Sequence, residues 1–123
     1  MNQIVNDRIV IMALNLISES IERDILRDHG LTFAKAYGHY KGIPERSWVI
    51  IANDEETYLK CIALARTYHQ ESILLSSQDR TTHLMFTDIY KTPEYIGVLQ
   101  RKQDDEPLPD SYTEFNGEIW VTR

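Results

Sequence analysis

Hydrophobic positions near the start of the chain fall into one helical stripe. Val10, Leu14, Ile17, Ile21 and Ile25 recur at steps of four, three, four and four, the spacing of an amphipathic helix. Asn6 or Asp7 would cap its start and Gly30 its end. The run from Ile9 to Leu14 is also apolar on every side. A short strand there, with a helix beginning at Asn15, is the competing reading. No turn residue separates the halves, so the pattern favours one helix within residues 1–30. Its wide apolar surface would cover a sheet or meet a second copy of the chain, most simply in a homodimer.

Alternation then replaces helical spacing. Leu31 to Tyr40 reads as a strand, and Ser47 to Ala52, centred on Trp48-Val49-Ile50-Ile51, as another. The turn residues Lys41-Gly42-Ile43-Pro44 between them predict an antiparallel hairpin. Asn53 or Asp54 caps a helix over residues 55–69, with acids in its first turn. Strands follow over 71–75, 83–86 and 95–99. A final hairpin spans 112–115 and 118–121, around the turn pair Asn116-Gly117. Two prolines and four acids make residues 101–110 a solvated surface loop. This order predicts one α+β domain over residues 1–123: a two-layer sandwich, mainly antiparallel sheet covered by two helices.

Composition narrows the classes. The 123 residues carry 13 basic and 19 acidic side chains, a formal net charge of −6, which disfavours direct nucleic-acid binding. A single cysteine suits a reducing compartment. No basic segment leads into an apolar one, and no apolar run reaches membrane-spanning length. The expectation is a cytoplasmic protein with no membrane association.

Familiar catalytic signatures are missing from the sequence. There is no phosphate-binding glycine loop, no His-Glu-x-x-His helix and no Gly-x-Ser-x-Gly elbow. His29, His39, His69, His83 and Cys61 show no ligand spacing, so neither a metal nor another cofactor is implied. Cys61 reads as a small buried hydrophobe. Two polar clusters stand at the ends of apolar segments: Glu45-Arg46-Ser47, and Gln70-Glu71-Ser72. If sheet ends bring them together, Glu45, Ser47, Gln70, Glu71 and Arg80 would form a pocket for an anion or a neutral polar ligand. Capping and solvation of loop amides is the plainer role for the same residues.

The seven tyrosines exceed what a small core buries easily. Tyr90 and Tyr95 flank an exposed turn, and amphipathic rings suit protein interfaces. With Asp104, Asp105, Glu106 and Asp110 of the acidic loop, they form a candidate contact surface for a basic protein partner.

The segments Gly42-Ile43-Pro44-Glu45-Arg46-Ser47-Trp48-Val49-Ile50 and Ala65-Arg66-Thr67-Tyr68-His69-Gln70-Glu71-Ser72-Ile73 carry a family resemblance. Together they resemble the small bacterial and phage proteins grouped as domain of unknown function 3293. Glu45, Ser47, Tyr68 and Gln70 are the positions that match. The resemblance implies no chemistry, but points toward a phage-type accessory protein. The leading expectation is therefore a small acidic interaction protein, an accessory or inhibitor factor acting on a host protein. The alternative is a small-molecule-binding protein or hydrolase that uses the Glu45, Ser47, Gln70, Glu71 and Arg80 pocket.

Overall fold

The computed structural model describes residues 6–123. Eight strands appear: β1 (Ile9–Met12), β2 (Phe33–Tyr40), β3 (Ile43–Ile51), β4 (Ser72–Ser76), β5 (Thr81–Phe86), β6 (Glu94–Arg101), β7 (Ser111–Phe115) and β8 (Glu118–Thr122). The helices are α1 (Glu19–Asp28) and α2 (Glu55–Thr67). The strands close into a barrel in the order β1-β3-β2-β7-β8-β6-β5-β4, with every neighbouring pair antiparallel. The expected two-layer sandwich is thus corrected to a closed barrel. Most of the strands stand where alternation put them; closure comes from the long-range pairings of β1 with β4 and of β2 with β7.

The N-terminal reading also changes. Residues 9–12 form a strand, and α1 begins only after Ser18, whose side chain caps it by accepting from the Ile21 amide. The proposed Asn6 or Asp7 cap therefore has no helix to cap, and the first five positions of the segment lie outside the described residues. The reason is two-sided burial. Ile9 and Ile11 pack inside the barrel with Val49, Leu99 and Phe115. Val10 and Met12 face outward and pack with Leu26, Trp48, Ile50 and the α2 residues Cys61 and Ile62. A strand covered on both faces loses its alternation and reads as a continuous apolar run. Residues 9–14 are all buried within this one chain, which removes the surface on which a homodimer was expected.

Turn chemistry behaves as local physics dictates. Tyr40 pairs with Ile43 across the two-residue turn Lys41-Gly42, where both residues have positive φ. Asn116-Gly117 does the same between β7 and β8. Both are the tight hairpin geometry whose twist matches that of its strands. Asp54 caps α2, accepting from the Thr57 amide at 2.7 Å.

One buried carboxylate locks α1 to the barrel. Glu22 is fully buried. Its Oε1 accepts from Arg46 Nε at 3.1 Å and from Trp48 Nε1 at 2.7 Å. Its Oε2 accepts from the Leu16 amide at 3.0 Å and from Arg46 Nη2 at 2.9 Å. Arg46 Nη2 also donates to the Leu16 carbonyl at 2.8 Å. Burial raises the Glu22 pKa, but the bonds from Arg46, Trp48 and Leu16 outweigh it, and the carboxyl lies below its ordinary range. The loop after β1 is thereby held beside the barrel mouth.

Candidate functional site

The barrel has one end at Met12, Ile43 and Ser72 and the other at Ile9, Ile51 and Ser76, as the registers of β1, β3 and β4 require. At the first end a cavity of about 940 Å³ opens between β1, β2, β3, the α2–β4 junction and β7. Eight strands leave an interior just wide enough for side chains or one small ligand, and a barrel mouth is a usual ligand site.

Strand period assigns the lining. On β3, Val49 packs into the barrel interior while Trp48 packs against the helices. Glu45 and Ser47 share the Val49 face and line the cavity, whereas Arg46 turns outward to Glu22. Gly38 lies opposite Glu45. A methyl group at Gly38 would stand 3.2 Å from Ser47 Oγ, so glycine leaves room for that hydroxyl. Ser47 is buried, and its Oγ donates to the Glu45 carbonyl at 3.1 Å.

Gln70 and Glu71 come from the opposite wall. His69 adopts a left-handed φ of 60° after α2, which turns the chain toward β4. The Gln70 amide bonds the Ala65 carbonyl at 2.8 Å. Thr87 Oγ1 donates to the Gln70 carbonyl at 2.8 Å and to the Glu71 carbonyl at 3.2 Å. The backbone is thus anchored, while both side chains remain without a hydrogen-bond partner among the described residues and line the cavity. Glu45, Ser47, Gln70 and Glu71 therefore border one space.

Arg80 does not border it. It sits in the β4–β5 turn at the opposite end of the barrel, where its Nη1 donates to the Asp7 and Ser77 carbonyls at 2.8 and 3.0 Å. Among the described residues, no lysine or arginine lines the cavity, and neither Glu45 nor Glu71 has an ion-pair partner. Without Arg80, the pocket lacks the cation that an anion would need. Two uncompensated carboxylates in a partly enclosed space favour a cation.

Deeper in, the lining changes character. Ile11, Leu74, Leu84, Ile96, Leu99 and Trp120 form an apolar floor, interrupted by the threonines Thr113 and Thr122. Sequence reading had passed over Trp120. Its signal was available: the partner register Thr113–Trp120 follows from the Asn116-Gly117 turn.

The other candidate residues lie elsewhere. Tyr90 is almost fully exposed, and Tyr95 is exposed with its ring tilted 60° against His83, centroids 5.5 Å apart. Asp104 and Asp105 are exposed, whereas Glu106 is half-buried and bonded to Arg123 and to the Gln103 amide. The Asp110 carbonyl accepts from the Lys41 amide at 2.7 Å, which ties the acidic loop to the β2–β3 hairpin. No helix among the described residues is long and apolar enough to cross a membrane.

Closed wall, open mouth and uncompensated carboxylates define a chain organised around a cavity that suits a small cationic molecule. A model of the S-adenosylmethionine lyase family matches residues 14–123. The chain belongs to that family. A search of curated proteins finds no match for it. The family match overturns the resemblance to domain of unknown function 3293, whose short motifs fall on β3 and the α2–β4 junction. It overturns with it the reading as a phage-type accessory or inhibitor of a host protein.

Proposed function

We propose that the chain cleaves S-adenosylmethionine in the mouth of its barrel, as a lyase. The observation that carries this reading is the acid-rimmed cavity with no lysine or arginine in its lining among the described residues, in a chain of this family. S-adenosylmethionine is a sulfonium cation whose amino-acid arm ends in an ammonium and a carboxylate. Glu45 and Glu71 at the rim hold the ammonium. The sulfur lies deeper, among apolar side chains.

That placement suits the chemistry. When a C–S bond of the sulfonium breaks heterolytically, its electron pair passes to sulfur and a neutral thioether leaves. Positive charge on sulfur is lost along the way, so a carboxylate against the sulfur would stabilise the ground state more than the transition state. An apolar wall withholds that stabilisation and favours bond breaking. Without water as reactant, the amino-acid arm is the part able to depart. Its own carboxylate can close on Cγ to give a lactone, or a base can take a proton from Cβ as the Cγ–S bond breaks. Both routes release methylthioadenosine. The second needs a general base in reach of Cβ; the first needs only that the arm be folded back on itself, which two rim carboxylates gripping the ammonium promote.

The test is incubation of the purified chain with S-adenosylmethionine in heavy-oxygen water. Release of methylthioadenosine, with no solvent oxygen on Cγ of the amino-acid product, supports the lyase. Heavy oxygen on Cγ identifies a hydrolase, and absence of the thioether overturns the reading. Glu45→Gln should raise KM by about 10-fold or more, the loss expected for one charge-assisted contact.

A further inference from the structure

Among the described residues Glu22 is the only buried carboxylate, and the cleavage proposed above makes no use of it. Stability alone does not call for it, since well-packed apolar side chains often serve a buried site as well as an ion pair does, or better. What its four hydrogen bonds fix is direction. Their donors come from two elements. Arg46 Nε, Arg46 Nη2 and Trp48 Nε1 belong to β3, and the Leu16 amide belongs to the loop after β1.

The strand ladder shows why that bridge stands where it does. β1 pairs with β3 only as far as Met12 and Trp48. Beyond that pair, β1 gives way to a loop that turns at Asn15, whose φ of 58° is left-handed. β3 runs on to the mouth paired with β2 alone. Glu45 and Ser47, the cavity residues of β3, lie on this stretch, where one edge has no neighbouring strand among the described residues. Arg46, between them, crosses the gap with its side chain. Its Nη2 donates to both Glu22 Oε2 and the Leu16 carbonyl, at 2.9 and 2.8 Å. A planar guanidinium held at several points restrains the twist of the strand that carries it, and the direction of each neighbouring side chain follows. Resting on the lyase reading, we propose that Glu22 is a positioning residue for the reaction: through Arg46 it holds the rim of β3 so that Glu45 points into the cavity. Glu22 itself lies on the outer side of the barrel wall and touches no substrate.

The experiment is a double-mutant cycle on the intact chain, with S-adenosylmethionine as substrate at a temperature well below the melting range of every variant. Glu22→Gln should lower kcat/KM by about 10-fold, mainly through KM, the loss expected when the Glu45 contact fails. Adding it to Glu45→Gln should cost nothing further, because a residue that acts through Glu45 then has nothing left to position. Leu26→Ala is the structural control. It removes a buried contact of the same helix and leaves the four bonds in place, so Tm should fall while kcat/KM keeps its native value. Where Glu22→Gln does not fold, Arg46→Lys takes its place in the cycle. That variant keeps the charge but loses the fork, and the same non-additivity is expected. An unchanged kcat/KM in the folded Glu22 or Arg46 variant overturns the inference. So do losses that multiply in the double variant, or an equal loss in Leu26→Ala. Each of these leaves the lyase reading intact, whereas failure of the native chain to release thioether overturns both.

Discussion

Replacing Glu22 by Gln tests how α1 is attached to the barrel. Each carboxylate oxygen receives two N–H donors: Arg46 Nε and Trp48 Nε1 on one, the Leu16 amide and Arg46 Nη2 on the other. A glutamine keeps one oxygen and turns an NH₂ group toward the other pair of donors. Two N–H groups lose their acceptor and Arg46 loses its counter-charge. Removing one partner of a buried ion pair costs about 3–5 kcal/mol. The Arg46 side chain retains 24% of its exposure, so water softens the loss and the low end, about 3 kcal/mol, is expected. At about 4 °C per kcal/mol for a chain of this size, Tm should fall by about 12 °C. The same pair sets an acid response. The folded carboxyl lies below the ordinary value of 4.5, so the unfolded chain takes up the proton first. The stabilisation is complete above that value and is lost as pH falls through the folded pKa. Urea unfolding across this acid range should show a slope in the native chain that flattens in E22Q. A variant within about 1 kcal/mol of the native chain, the worth of an ordinary hydrogen bond, with an unchanged acid slope, would refute the reasoning.

Gly97→Ala should destabilise by about 2 kcal/mol or more, since Gly97 has a φ of +120° and an added Cβ would lie 2.6 Å from the Arg123 carbonyl oxygen; thermal unfolding measures it, and an unchanged Tm would contradict the close approach. Burial pushes the Cys61 thiol up to about 12, so a chromogenic disulfide reagent at about pH 8 should leave it unmodified until denaturant is added. Glu71→Gln should weaken S-adenosylmethionine binding as Glu45→Gln does, with Tm nearly unchanged because the side chain has no partner to lose among the described residues; calorimetric titration and a melting curve together check this.

Much of the local structure was legible in the chain. Asn116-Gly117 and the acids after Asp54 announce a turn and a cap through residue-level physics, and they stand where expected, whereas the turn expected over Lys41-Gly42-Ile43-Pro44 narrows to Lys41-Gly42 because Ile43 and Pro44 pair in β3. The stripe Val10, Leu14, Ile17, Ile21, Ile25 misled because its periodicity is coincidental. Val10 and Leu14 are buried by the strand and the loop after it, whereas Ile17 and Ile21 are exposed. The residues α1 actually buries are Leu26 and Glu22, and no hydrophobicity pattern nominates a glutamate for the interior. Its burial depends on Arg46 and Trp48, more than 20 positions away. Closure was invisible for the same reason, since the pairings that seal the barrel join segments far apart in sequence. Glu45 and Ser47 share a strand face by period alone, and Gln70 and Glu71 reach the same cavity through a helix end. Arg80 was misplaced because β4 carries the chain from one end of the barrel to the other before the turn in which it sits.

Strand β3 serves two unrelated tasks on its two faces. Glu45 and Ser47 look into the cavity, while Arg46 and Trp48 grip the buried carboxylate of α1. Because the faces alternate residue by residue, shifting the strand by one position exchanges them. Arginine and tryptophan would then enter the cavity, and a glutamate would be presented to Glu22. The Lys41-Gly42 tip can therefore lengthen or shorten only in steps that preserve this parity. Among natural variants of the chain, insertions and deletions in this hairpin should come in compensated pairs on its two arms, while substitutions at the tip are restricted to residues that tolerate positive φ.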